Sequence, residues 1–264
     1  MSGLVQFFPR VRLLLVISGR WGIVVLAVAA LVGCGGQLQA PSPALQPSEP
    51  SPVQQEPQQE SPPTALSIPQ PVQTLPNGML RSGVASSGTY LANTVSAAAM
   101  SGATDVRQFV VQLETSLPES VDGAALRMHE ILNSPRGWAG TYGSAFELVS
   151  DTDQADLVIH LASPQTVDLA CAALNTAGLW SCRLGPNIYL NVDRWFYGTP
   201  TWAGQPIDEY RSYLINHEVG HYLGFGHVGC PAVGAPSPVM QQQSIDLNGC
   251  LPNAWPDVTG ERDD

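Results

Sequence analysis

Apolar positions gather in short runs over the second half of the chain. Arg107–Glu114 (RQFVVQLE), Ala145–Val149 and Leu157–Leu161 each predict a β-strand, and in the last of these Leu157, Ile159 and Leu161 share one face. Trp180–Leu184, the turn pair Gly185-Pro186 and Asn187–Val192 predict a hairpin. Two stretches read as helices instead. Val121–Asn133 places Ala124, Met128, Ile131 and Leu132 at helical spacing. Ile207–Leu223 opens with Asp208 and Glu209, whose charges suit the positive end of a helix dipole. Beyond Gly224 glycine and proline recur without a period, and irregular structure is expected there. Strands and helices together predict an α+β domain.

The N-terminal third follows another pattern. Arg10, Arg12 and Arg20 precede Trp21–Val32, an apolar run of twelve residues that fits a signal-peptide core and falls short of the roughly 20 residues of a membrane span. An uncleaved anchor over Leu13–Val32 would bury Arg20 in the bilayer, which is costly. The run ends Leu31-Val32-Gly33-Cys34, which resembles the lipobox of bacterial lipoproteins. That resemblance implies cleavage before Cys34 and a lipid on its thiol, with acyl chains holding the protein on a membrane surface. Gly35–Pro76 holds 11 Pro, 9 Gln, three Glu and no Arg, too little apolar surface to offset chain entropy. A Pro-rich tether of that length reaches on the order of 100 Å. The expected organisation is a signal peptide over 1–33, a lipidated Cys34 with a disordered tether over 34–76, and one domain over 77–264. The expected location is extracytoplasmic, at a cell surface or in a periplasm, and the expected state is a monomer.

Charge narrows the function. The chain of 264 residues carries a net charge of −11, so the basic footprint of a nucleic-acid binder is missing. All 11 basic residues are Arg. With no Lys, Schiff-base chemistry, a P-loop lysine and a Ser-Lys dyad are excluded.

The chemistry concentrates in His217-Glu218-Val219-Gly220-His221-Tyr222-Leu223-Gly224-Phe225-Gly226-His227. On a helix, His217 and His221 lie one turn apart on one face and can converge on one ion. On a continued helix His227 would lie about 15 Å along the axis from His217. The helix must therefore end first, and Gly224 can turn the chain back in the left-handed conformation. The spacing predicts three ligands around one Zn²⁺, with a fourth position open to water. Glu218, beside the first ligand, is placed as general base and acid for a metal-activated water attacking an amide. A zinc site that binds without hydrolysing is the alternative, as a cell-surface binding module; cleavage of a wall peptide crosslink is a third reading.

This segment resembles the metzincin signature HExxHxxGxxH. The resemblance implies a peptide or protein substrate and a metzincin-like twisted mixed β-sheet with two long helices and an irregular C-terminal subdomain. It also implies a Met-turn beneath the metal, for which Met240 in Ser237-Pro238-Val239-Met240 stands in place. Many metzincins have a Tyr two residues after that Met; here the position is Gln242. In metzincins a substrate pairs with the edge strand of the sheet. Trp180–Leu184 is the candidate edge, and a place inside the sheet is equally compatible with the sequence. More narrowly, Asn216–His227, Cys230-Pro231, Pro238-Val239-Met240-Gln241-Gln242-Gln243, Gly249-Cys250 and Asn253-Ala254-Trp255-Pro256 resemble the exported, metzincin-like bacterial family DUF3152. Arg136-Gly137-Trp138, Ser181-Cys182-Arg183 and Arg194-Trp195 extend that resemblance over most of 105–257.

Four cysteines remain in the domain: Cys171, Cys182, Cys230 and Cys250. Export into oxidising conditions predicts two disulfides, and of three possible pairings the sequence-local one, Cys171–Cys182 with Cys230–Cys250, is preferred. No CxxC suggests a second metal site. His129 and His160 read as structural, and Asp151, Asp153 and Asp156 as a solvated turn rather than a calcium loop. Trp195, Phe196, Tyr197 and Trp202 read as core packing ahead of a specificity pocket.

Overall fold

Every central strand the sequence predicts takes part in one mixed sheet. The computed structural model describes residues 68–259. The proposed signal peptide, Cys34 and residues 34–67 of the tether lie outside the described residues. The strands are β1 (Gln73–Thr74), β2 (Leu80–Arg81), β3 (Tyr90–Ala92), β4 (Asp105–Glu114), β5 (Ser144–Leu148), β6 (Leu157–Ala162), β7 (Cys182–Leu184) and β8 (Asn187–Asn191). The helices are α1 (Val121–Leu132), α2 (Trp138–Tyr142), α3 (Pro164–Ala170), α4 (Val192–Tyr197), α5 (Ile207–Leu223) and α6 (Pro256–Thr259). β1 and β2 form a small antiparallel pair, so regular pairing begins ahead of the 76/77 boundary read from composition.

The main sheet runs β3-β4-β6-β8-β7, with β5 also paired to β4. β4 pairs in parallel with β5 over Asp105–Phe109 and with β6 over Phe109–Leu113. β6 pairs in parallel with β8, while β3 and β7 are antiparallel. The parallel centre explains why β6 is apolar on nearly every residue: both its faces are covered. α1 and α5 pack on one face around Phe109, Met128, Trp138, Phe146, Ile159 and Leu190. On the other face α3 covers Ala162, Val167, Cys171 and Cys182, with Tyr90 and Tyr189 beside them.

That second layer accounts for His160, which the strand pattern turns away from the main apolar face. Its ring stacks on Tyr189 at 4.5 Å and its Nε2 meets Asn187 Oδ1 at 3.1 Å. His129 Nε2 meets the Ala98 carbonyl at 2.9 Å. Asp151 caps the turn Thr152–Gln154, and Asp156 accepts from the Gln108 N–H at 2.8 Å, which ties the chain after the turn to β4. Trp195, Phe196 and Trp202 are buried in the core.

The helices start where the chain offers acceptors. Ser120 caps α1 by accepting from the Gly123 N–H. α5 has no side-chain cap but carries Asp208 and Glu209 in its first turn. Asp208 also bridges Arg127 of α1 at 2.7 Å and Arg211 at 3.1 Å, tying the two long helices together at the surface. Tyr210–Gly220 are all buried. α5 therefore runs through the core, which is why its sequence lacks a one-sided apolar stripe.

Glu114, at the end of β4, is fully buried. It accepts from the N–H groups of Ser87 (2.6 Å), Gly88 (3.0 Å) and Ser163 (2.7 Å) and from the Thr166 hydroxyl (2.8 Å). Burial alone would raise its pKa; these donors outweigh it and lower the value from 4.5 to about 2. The folded value lies below the unfolded one, so the stabilisation is complete above about pH 4.5 and is lost as pH falls toward 2. In urea titrations Glu114→Gln is expected to cost about 2 kcal/mol at pH 7. The gap to the unmutated protein should narrow below pH 4. A constant gap would contradict this assignment.

Candidate metal centre

The ligand geometry begins with the end of α5. Gly224 closes the helix in the left-handed region, at φ 106°. Its N–H donates to the His221 carbonyl, and the Phe225 N–H donates to the Gly220 carbonyl at 2.9 Å. The chain then doubles back and brings His227 to the two helix histidines. Ring centroids lie 4.8 Å apart for His217–His221, 4.6 Å for His221–His227 and 5.3 Å for His217–His227. One nitrogen from each ring falls within 4.8 Å of the others.

Backbone carbonyls orient two of these rings. His217 Nδ1 donates to the Val239 carbonyl at 2.8 Å, and His221 Nδ1 to the Phe225 carbonyl at 2.9 Å. With the proton held on Nδ1, Nε2 carries the free lone pair. His221 Nε2 stands 3.0 Å from His227 Nε2. Two ring nitrogens this close have the spacing of a shared cation's ligands, which lie about 3.3 Å apart around tetrahedral zinc. Three neutral imidazoles, two of them with carbonyl-fixed tautomers, are therefore a donor set suited to zinc. Burial, with His221 adding repulsion, lowers the His217 pKa to about 3, and burial also lowers His221 and His227. All three stay neutral at pH 7, the form that binds metal.

Glu218 lies on α5 next to His217, buried, and it faces the same cleft of about 570 Å³ as the three histidines. Burial raises its pKa to about 8. That shift favours the neutral carboxyl; a cation held by the three histidines would favour the carboxylate that a general base needs. β7 is the last strand of the sheet, and Trp180, Ser181, Cys182 and Arg183 line the cleft. The edge reading of that segment is thus the one realised. Gln242 lines the cleft too. Trp195, Phe196, Tyr197 and Trp202 do not line it.

Met240 is fully buried beneath the helix. Its sulfur lies so close to Gly220 that a Cβ added there would fall 2.3 Å from Met240 Sδ and 2.9 Å from Trp138 Cζ2. Gly220 is a site residue that the motif reading passed over. The signal was a glycine in the helix interior, where its backbone freedom has a cost, so close packing was the reason to expect. Trp138, also passed over as a site residue, donates to the Asn216 carbonyl at 3.0 Å and stacks on Phe225 at 4.8 Å.

The irregular C-terminal segment is held by side-chain amides in place of a regular ladder. Gln243 Nε2 donates to the carbonyls of Pro238 (3.0 Å) and Asn253 (2.7 Å). Asn253 Nδ2 donates to the carbonyls of Ser237 and Trp255, each at 2.9 Å. Tyr213 donates to the Gln241 carbonyl at 3.1 Å, which joins the Met240 turn to α5. Buried carbonyls outside regular structure need such donors. Asn253→Ala is expected to cost about 2 kcal/mol in chemical denaturation, with the Met240 segment losing amide-exchange protection first. Unchanged protection would contradict this role.

Both disulfides take the sequence-local pairing: Cys171–Cys182, with Cα atoms 6.5 Å apart, and Cys230–Cys250, at 5.8 Å. The second closes the loop that carries Met240. A bridge over a loop of this size contributes about 3 kcal/mol by the chain-entropy account.

Fold and site together define a mixed α+β domain with a three-histidine centre in a cleft, built from one helix and the turn after it. The chain belongs to the family described as "Protein of unknown function (DUF3152)", whose model matches residues 75–256. No curated protein and no solved structure matches the chain.

Proposed function

We propose that this protein is an extracytoplasmic zinc-dependent endopeptidase of metzincin type. The observation that carries the reading is the convergence of His217, His221 and His227 at one cleft that also contains buried Glu218. His217, His221 and His227 would hold the ion, and the carbonyls of Val239 and Phe225 fix the His217 and His221 rings. Zinc, when bound, supplies a Lewis acid that lowers the pKa of a water toward 7 and polarises a carbonyl. Glu218 takes the proton of the attacking water and delivers it to the leaving amine. β7 offers its edge to an extended peptide, whose backbone would pair with it. Met240, packed against Gly220, forms the floor of the site. A lipid on Cys34 and the tether would hold the domain above a membrane.

The test uses the full chain, loaded with zinc, on an unbiased peptide library followed by mass spectrometry. Cleavage that stops on chelation and returns with zinc is the expected result. Peptide binding without cleavage would favour the binding-module reading, and cleavage of purified wall material alone would favour the crosslink reading. Either would overturn the endopeptidase reading.

A further inference from the structure

Two arginines line the cleft, and among the described residues neither forms a salt bridge. Arg194, on α4, is only 1% exposed, yet it belongs to the cleft wall. Its Nη1 donates to Met79 Sδ and its Nη2 to the Leu80 carbonyl, both neutral acceptors. Its Nε has no partner. Arg183, on β7, stands in the same wall, and its buried Nε likewise has no partner.

The sign of this wall runs against the rest of the molecule. The chain carries a net charge of −11, but among the described residues Glu218 is the one acid along the cleft, beside two arginines. Burial outweighs the pull of Asp193, which attracts the Arg194 charge without bonding to it, so the cation keeps a desolvation penalty. A carboxylate entering the cleft would relieve that penalty, and a guanidinium fork matches its two oxygens.

We propose that Arg194 and Arg183 form a carboxylate-binding subsite next to the three-histidine centre, so that the preferred peptides bring a carboxylate into the cleft. As a choice of substrate class this rests on the peptidase reading; as a binding site it stands apart from hydrolysis. The carboxylate has two sources, an Asp or Glu side chain or a free C-terminus.

The experiment measures binding to the full chain carrying Glu218→Ala and zinc, by fluorescence anisotropy. The probes are fluorescein-labelled heptapeptides. One set is C-terminally amidated with a single Glu moved along the chain, a second has Gln in its place, and a third has Gln with a free C-terminus. The best Glu peptide or the free-carboxylate peptide should bind at least tenfold tighter than its neutral counterpart, and which of them does identifies the source. Arg183→Gln and Arg194→Gln should each reduce that preference at least threefold. Arg183 is partly exposed and its variant should fold, while circular dichroism checks the Arg194 variant. Equal binding of charged and neutral peptides would overturn the proposal, as would an unchanged preference in the folded Arg183 variant. Should the unmutated protein cleave nothing while the preference and its arginine dependence hold, the subsite stands and the peptidase reading falls.

Discussion

Glu218→Ala should keep one zinc per chain and lose peptide cleavage by about 10³-fold or more. The carboxylate belongs to no metal-ligand set: the three converging groups are histidines, and Glu218 is their neighbour on α5. Removing it leaves the Nδ1 bonds to Val239 and Phe225 in place, so the ligands stay oriented. What is lost is the buried carboxylate that would take the proton of the attacking water. Glu218→Gln, which preserves shape without proton exchange, should be equally inactive. Zinc content by mass spectrometry and turnover of a library-derived substrate check both. Retained turnover in Glu218→Ala would remove the general base from this account.

Gly220→Ala should destabilise the fold by about 3 kcal/mol and weaken zinc affinity at least tenfold. The substitution raises helix propensity, and on an exposed helix it would stabilise. Here the new methyl would collide with Met240 Sδ at 2.3 Å and with the Trp138 ring at 2.9 Å. Both side chains are fully buried, and the Trp138 indole is held by its bond to Asn216, so little room exists for retreat. Relief must come from lifting α5 between His217 and His221, which moves two ligands. Thermal melts and competition with a zinc chelator measure the two effects. A stabilised variant with normal zinc affinity would show that Met240 does not press on the ligand helix.

Much of this architecture was legible because local signals and tertiary packing agree. Ile207–Leu223 has the predicted bounds, since acids open it and Gly224 closes it. The four central strands were visible as apolar runs because a parallel sheet buries both faces. Shorter elements were hidden. α2 and α3 are too short to show a period, and β3 has three residues whose pairing with β4 is a tertiary fact. The three histidines could be read from spacing because their geometry is local to one helix and the turn after it. Gly220 carried a signal, an interior helix glycine, whose partners Met240 and Trp138 come from the fold. Trp138, Arg194 and the Gln243–Asn253 pairing could not be read, because each depends on contacts between segments distant in sequence or, for the amides, on which side chains become buried. The strand pattern placed His160 away from the apolar side; the layer of α3 that covers it comes from the fold alone.

The account depends on one ion shared by three imidazoles. X-ray absorption at the zinc edge on the full chain, purified without chelators and supplied with one equivalent of zinc, tests this most directly. The account predicts one tightly held zinc with three imidazole nitrogens at about 2.0–2.1 Å and one oxygen ligand. His227→Ala should remove one of those nitrogens. A chain that retains no zinc on dialysis, or a zinc spectrum unchanged by His227→Ala, would contradict it.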